Sequence, residues 1–142
     1  MTLPSCIVRA AWCVAALPLG GCFSLSSLGN AASHTVAWKK DGFVVEDIRR
    51  KFTYDADGPL EEAELDGKLT LTDRGADGAV DVVKGDGGEW TRGEPGSGEV
   101  FADADQRFAD TRAYLRIDGY RAKFERMTEA DRADAAGLYR RP

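Results

Sequence analysis

The chain has 142 residues, of which 43% are apolar and 30% are charged, and its formal net charge at pH 7 is −5. This size and composition indicate a single folded domain with one hydrophobic core, and they argue against intrinsic disorder. Binding to nucleic-acid phosphates requires clustered Lys and Arg, so the acidic balance predicts no nucleic-acid partner.

An N-terminal leader is the first predicted element. Arg9 precedes an apolar stretch over residues 10–17, which is far shorter than the roughly 20 residues of a membrane-spanning helix. A positive charge, a short apolar core and small residues behind it are typical of a secretory signal peptide. The alternative is that these residues form the first helix or strand of the fold.

The leader ends in the tetrapeptide Leu19-Gly20-Gly21-Cys22. This tetrapeptide resembles the lipobox of bacterial lipoprotein signal peptides, in which a Leu and two small residues precede a cysteine. The resemblance implies that residues 1–21 are a cleaved signal peptide, that the sulfur of Cys22 carries a diacylglyceryl group and that the new amino group is acylated, for example with palmitate. Two or three acyl chains hold a protein on a membrane far more firmly than one. An ordinary secretory signal, which would leave Cys22 as a free thiol, is the alternative.

The distribution of cysteines supports a lipid on Cys22. The other two cysteines, Cys6 and Cys13, lie within the leader, and no cysteine follows. Because an exported protein pairs its cysteines or avoids them, a single sulfur occupied by lipid fits an oxidising compartment. Phe23 follows the cysteine, and the absence of Asp there resembles the outer-membrane sorting signal of enteric bacteria. We therefore expect a location in the cell envelope, with the periplasmic face of the outer membrane favoured.

A flexible tether is predicted to follow the leader. Residues 22–34 are mostly small and carry no Asp, Glu, Lys or Arg, which is typical of a linker. His34, the only histidine of the chain, would be an exposed linker residue at its end. Residues 35–142 would then form the folded domain.

The first part of this domain predicts strands separated by Asp-Gly turns. Leu69 and Leu71 alternate with polar residues, as in a half-buried strand. Residues 43–54 fit either a strand or a helix, and the β-forming end Phe52-Thr53-Tyr54 favours a strand. An antiparallel meander is predicted over residues 35–38, 43–54, 60–65, 68–72 and 79–83.

The second part predicts a glycine-rich loop and then helices. Trp90 would anchor the loop of residues 84–98. An amphipathic helix is predicted to begin near Glu99 and to end before Gly119, its C-cap, with shorter helices over 120–127 and 128–139. We therefore predict an α+β fold in which a small antiparallel sheet of four or five strands carries C-terminal helices on one face. The apolar face of the first helix consists of Phe101, Ala104, Phe108, Thr111 and Leu115.

Absent residue types restrict the chemistry of this domain. Residues 35–142 contain no Cys, His or Asn, and Ser97 is their only serine. A Ser-His-Asp or Cys-His arrangement and a zinc site built on Cys and His are therefore excluded within the domain. Asp and Glu are plentiful, so a carboxylate-based hydrolase of the cell wall stays an alternative. No residue is assigned a catalytic role.

One acidic segment predicts a weak metal site. Residues 73–81 resemble part of an EF-hand calcium loop. The segment departs from that pattern at Gly75, where Asp or Asn is expected, and at Lys84, where a bidentate Glu is expected. A plain Asp-Gly turn is the alternative. The candidate calcium ligands are Asp73, Asp77 and Asp81.

These observations predict a membrane-anchored bacterial envelope lipoprotein with a non-enzymatic binding or scaffolding role and no cofactor. Its partner would be another envelope protein or a component of the cell wall. The first alternative is a module that binds a cation, such as calcium, or a small ligand. The second is the carboxylate-based cell-wall hydrolase.

Overall fold

A computed structural model describes residues 33–138, so the predictions for the leader, for Cys22 and for most of the tether lie outside the described residues. The described residues fold into one antiparallel sheet of seven strands followed by three helices, which confirms the predicted α+β class. The strands are β1 (Thr35–Lys39), β2 (Gly42–Glu46), β3 (Arg50–Asp55), β4 (Leu60–Leu65), β5 (Leu69–Arg74), β6 (Val82–Gly85) and β7 (Gly88–Thr91). The helices are α1 (Gly98–Tyr114), α2 (Ile117–Arg126) and α3 (Glu129–Leu138).

The sheet is a meander in which each strand pairs with the next along the chain. Most turns between the strands are short, so each strand can pair with the next one along the chain. In the β4–β5 turn, Asp66 and Gly67 have φ angles of 54° and 65°, and positive φ at two successive residues is typical of the turns that match the twist of a hairpin. Local pairing throughout therefore follows from turn residues spaced at short intervals.

One face of the sheet carries the hydrophobic core. Phe52 and Leu71 lie in one cross-strand row and are fully buried. The ring of Phe108 in α1 lies 5.6 Å from that of Phe52, and the ring of Phe124 in α2 lies 6.2 Å from that of Phe43. Because Phe43 and Phe52 point to the same face, α1 and α2 both pack on it.

The sheet has seven strands where four or five were predicted. Residues 43–54 form two strands, because the carboxylate of Asp47 accepts hydrogen bonds from the amides of Arg49 and Arg50, at 2.7 and 2.6 Å, and closes a turn. The glycine-rich loop also contains a strand, β7, in which Trp90 pairs with β6 and packs against the core.

The first helix ends earlier than predicted. Arg116 has a φ angle of 57°, which separates α1 from α2, so Gly119 lies within α2 and is not a C-cap. This break allows Leu115 and Ile117, on either side of it, to be fully buried. Within the described residues, none of the helices is long and apolar enough to cross a bilayer.

His34 is not the exposed linker residue that was predicted. Its Nε2 atom lies 2.7 Å from the hydroxyl of Tyr120 in α2, within hydrogen-bond distance. The two rings also meet edge to face, with 5.7 Å between their centroids. The folded unit therefore includes the last residue of the predicted tether.

Candidate functional site

Two acidic residues lie side by side on the core face of the sheet. Glu61 in β4 and Asp73 in β5 are cross-strand partners, and both are 0% exposed. Strand periodicity places them there, because Glu61 alternates with Ala63 and Asp73 alternates with Leu71 on the buried face. Buried carboxylates need compensating partners, since an unpaired buried charge is very costly.

The carboxylate of Glu61 binds two arginines that come from different helices. Nη1 of Arg112 in α1 donates to Oε2, and Nη1 of Arg121 in α2 donates to Oε1 at 3.4 Å. Arg112 also donates from Nη2 to Oδ1 of Asp118 at 2.6 Å. We refer to Glu61, Asp73, Arg112 and Arg121 as the ionic cluster. It ties both helices to the sheet.

The pKa of Glu61 is raised above its ordinary value. Burial of the carboxyl group is the largest cause, and Arg112 and Arg121 oppose it by favouring the charged form. The negative charges of Asp73 and Asp118 add to the rise. The ionic cluster therefore holds Glu61 at an electrostatic cost that its two arginines partly offset.

Asp73 organises the loop that joins β5 to β6. Its carboxylate accepts hydrogen bonds from the amides of Asp77 and Gly78, at 3.3 and 2.7 Å. Arg121 donates to a carbonyl of the same loop at 3.4 Å, in addition to its contact with Glu61. The ionic cluster thus also fixes this loop.

The three predicted calcium ligands act as hydrogen-bond acceptors within the loop. Besides Asp73, the carboxylate of Asp77 accepts from the amide of Ala79 at 2.9 Å, and that of Asp81 accepts from the amide of Arg74 at 2.7 Å. Over residues 33–138, no group of three or more His, Cys, Asp or Glu side chains is arranged to hold a metal ion. The loop geometry is that of a hydrogen-bonded hairpin connection.

Two neighbouring carboxylates are also what a two-carboxylate hydrolase requires. Glu61 and Asp73 meet that requirement of proximity, but both are closed to solvent, and their oxygens bind arginines and backbone amides. A substrate would reach them only if α1 and α2 moved away from the sheet. The geometry therefore favours a packing role for this pair over acid–base chemistry.

Two surface depressions are candidate ligand sites. One of about 320 Å³ lies between α1 and the β5–β6 loop and is lined in part by Arg112 and Asp118. Another of about 520 Å³ lies at the β1–β2 hairpin and includes Trp38, Lys40 and Tyr54 in its lining. Small-molecule sites usually have volumes of roughly 300–1,000 Å³. The second depression combines aromatic side chains with two lysines and with two aspartates, Asp41 and Asp55, so its lining has no net charge.

The ionic cluster was not among the sites predicted from the sequence. One signal was present, because the alternation of Leu69 and Leu71 continues to Asp73 and places it on the buried face. A buried acid implies a cationic partner nearby. For Asp73 the compensating groups are backbone amides of its own loop. The sequence does not specify that Arg112 and Arg121 bind the neighbouring Glu61, since the two arginines belong to no recognisable motif.

No protein family model matches the chain, and neither a curated protein nor a solved structure matches it. No residue role is therefore transferred from another protein. The chemistry of the described residues, together with the N-terminal sequence, carries the functional proposal.

Proposed function

We propose that this chain is a lipid-anchored protein of the bacterial cell envelope, and that its domain binds or scaffolds another envelope component without catalysis. The observation that carries this proposal is the position of Cys22. It ends Leu19-Gly20-Gly21-Cys22 behind a short apolar stretch, and no cysteine follows it. A thioether-linked lipid on that sulfur would hold the domain at a membrane surface.

The ionic cluster supports the non-enzymatic part of the proposal. Glu61 and Asp73 are buried, and their oxygens bind Arg112, Arg121 and backbone amides. Groups that perform acid–base catalysis must reach the proton that they transfer. A domain whose buried acids are engaged in this way is suited to present a rigid surface.

Metabolic labelling tests the lipid anchor. Cells that express the native chain are grown with radiolabelled palmitate, and we expect label in the mature protein. Cys22→Ala should abolish the labelling, whereas Cys13→Ala, a matched change within the leader, should leave it intact. Mass spectrometry should place Cys22 at the new N-terminus. An unmodified thiol there, or an attached leader, would contradict the proposal.

Crosslinking tests the scaffolding role. Mild crosslinking of intact cells followed by purification of the native chain should recover a stoichiometric envelope component. The Cys22→Ala chain, which has no sulfur at this position to carry lipid, is the control, and the component should be depleted in its crosslinked fraction. Recovery of the chain alone under both conditions would count against a scaffold.

A second candidate function is the binding of a small ligand at the β1–β2 hairpin. The depression of about 520 Å³ that is lined in part by Trp38, Lys40 and Asp41 favours it. A thermal-shift screen of small polar ligands would test it, with Lys40→Ala expected to weaken any stabilisation. A stabilising ligand that is unaffected by Lys40→Ala would place the site elsewhere.

A further inference from the structure

Helix α3 is attached to the domain more weakly than α1 and α2 are. The two earlier helices bury large side chains, for example Phe108 in α1 and Phe124 in α2. Among residues 129–137 of α3, whose side chains the structure describes, none is buried. A segment with few buried apolar contacts opens more readily than a core element does.

Arg132 connects α3 to α2. Its Nη2 atom donates to the carbonyl oxygen of Phe124 at 3.1 Å, and its guanidinium lies 4.0 Å from the centre of the Phe124 ring. Its Nε atom is buried and has no hydrogen-bond partner among the described residues. Because an unsatisfied buried donor is costly, this contact combines favourable and unfavourable interactions.

An exposed ion pair and small side chains provide the other attachments. Nζ of Lys40, in the β1–β2 turn, lies 3.8 Å from a carboxylate oxygen of Glu129, and the two side chains are 64% and 83% exposed. Ion pairs this exposed contribute little to stability. Where α3 packs against β1, it has the half-buried alanines Ala135 and Ala136. These contacts hold α3 in place without fixing it firmly.

The boundary between α2 and α3 is a short extended segment. Met127 has φ and ψ angles of −72° and 138°. After it, the hydroxyl of Thr128 accepts from the amide of Asp131 at 3.2 Å, and the carboxylate of Asp131 accepts from the amide of Thr128 at 3.1 Å. This reciprocal pair acts as a capping box, which starts a helix by local contacts. Residues 127 and 128 can therefore change conformation without changing α2.

Helix α3 also forms part of the depression at the β1–β2 hairpin. Ala136 contributes to the lining together with Ala37 in β1 and Thr53 in β3. Lids over binding sites are drawn from the low-stability parts of a fold. The weakly attached helix of this domain is thus also a wall of its largest described depression.

We propose that α3 is a movable flap, which leaves β1 by rotation at residues 127 and 128 and thereby controls access to the depression. Its role in ligand entry rests on the proposed ligand site, whereas the motion itself requires no ligand. A ligand that contacts both α3 and the strands would hold the flap closed, because it binds the docked state better than the open one.

Hydrogen exchange of the ligand-free, full-length chain, followed by NMR, tests the motion. An isolated helix of ten residues is marginal in water, so α3 should lose its amide protection when it leaves the strand. We expect the amides of residues 133–138 to exchange at similar rates, at least about tenfold faster than those of residues 102–114 in α1. Arg132→Met should speed exchange in α3 and leave α1 unchanged. The control Arg126→Met, at an exposed position of α2, should alter neither.

Alkylation by iodoacetamide tests access to the depression. With the three native cysteines replaced by alanine, Ala37→Cys places a thiol in the lining. Thr72→Cys is the matched control, because it is also half-buried and lies in the same cross-strand row, four strands away and outside the depression. Arg132→Met should raise the alkylation rate several-fold at position 37 and not at position 72. Glu129→Gln, which removes only the exposed ion pair, should give a smaller rise.

Exchange in α3 as slow as in α1 would overturn the proposal. Rates that increase steadily from residue 133 to residue 138 would indicate fraying of a helix end, and would overturn it as well. So would an alkylation rate at position 37 that neither Arg132→Met nor Glu129→Gln raises. Because neither experiment contains a ligand, these outcomes do not depend on whether the depression binds one, which the thermal-shift screen decides separately.

Discussion

Glu61 and Arg112 lie 51 residues apart in the chain and meet as an ion pair between strand β4 and helix α1. The side chain of Glu61 is closed to solvent, and that of Arg112 is 17% exposed. Water can satisfy neither charge fully in this environment, so each depends on the other. The packing of α1 against the sheet therefore depends on the charge of Glu61.

Removal of one partner should expose this dependence. We expect Arg112→Met to lower the free energy of unfolding by about 3–5 kcal/mol, because it leaves the buried charge of Glu61 with only its 3.4 Å contact to Arg121. Arg121→Met should cost less, since that contact with Glu61 is 3.4 Å long and the side chain is more exposed. Urea unfolding at neutral pH measures both changes.

The control for these variants is Arg107→Met. Arg107 is also in α1, but its partner Asp103 is on the surface, and exposed pairs of this spacing contribute only about 0.3–0.5 kcal/mol. Similar losses in all three variants would show that the side chains act through helix packing and not through the buried charge of Glu61.

Glu61→Gln should change how stability depends on pH. Since the folded-state pKa of Glu61 is raised above 4.5, the folded protein retains a proton that the unfolded chain releases. This group's favourable contribution is therefore complete below pH 4.5 and is lost as the pH rises through the folded-state value. Urea unfolding at pH values below and above 4.5 gives the free energy of unfolding of the native chain and of the variant. The value for the native chain minus the value for the variant should fall as the pH rises. A difference that stays constant would contradict the assignment.

Short-range patterns explain which parts of the fold could be predicted. The alternation of Leu69 and Leu71 and the helical spacing of Phe101 and Phe108 each depend on neighbours within a few residues, and a strand and a helix form there, although the helix ends earlier than predicted. The division of residues 43–54 into two strands was missed, because it depends on hydrogen bonds made by a single carboxylate.

Long-range relationships explain what the sequence left undetermined. Glu61 looks like an ordinary polar residue of a strand until α1 and α2 cross the sheet and bring Arg112 and Arg121 to it. His34 looks like the end of a linker until its contact with Tyr120 is known. In both cases the partner is many residues away, and nothing in local periodicity encodes its identity.

Gly42 should tolerate no side chain. A Cβ at this position would lie 1.9 Å from the carbonyl oxygen of Tyr54 on the neighbouring strand. Because this oxygen belongs to the backbone, the clash can be relieved only if the strands of the sheet move. We expect Gly42→Ala to cost at least about 1–3 kcal/mol, seen as a lower Tm. Gly58→Ala, where nothing lies within 4 Å, should leave Tm unchanged or slightly higher. Equal effects at the two glycines would mean that the close approach is absent in solution.

The β2–β3 turn should weaken in acid through Asp47. Burial alone would raise the pKa of Asp47, but hydrogen bonds from the amides of Arg49 and Arg50, together with the charge of Arg50, lower it below 3.8. Its contribution to stability is therefore complete above pH 3.8 and is lost as the pH falls through the folded-state value.

Two variants separate the charge of Asp47 from its hydrogen bonds. Asp47→Ala should cost about 1–3 kcal/mol in urea unfolding at neutral pH, because it removes two charge-assisted hydrogen bonds. Asp47→Asn keeps the acceptor, so its cost should be smaller and should shrink further in acid. A cost for Asp47→Asn that equals that of Asp47→Ala at every pH would refute this account of the turn.

Calcium should leave the Tm of the protein unchanged. Occupation of the EF-hand-like segment would require Asp73, which is fully buried, to release the amide of Gly78, and Asp81 to release that of Arg74. Thermal unfolding with and without millimolar calcium measures this, and Asp77→Ala provides the comparison. A rise in Tm that chelator reverses and that Asp77→Ala removes would show that the loop opens to bind the ion, because a ligand stabilises only the state that binds it.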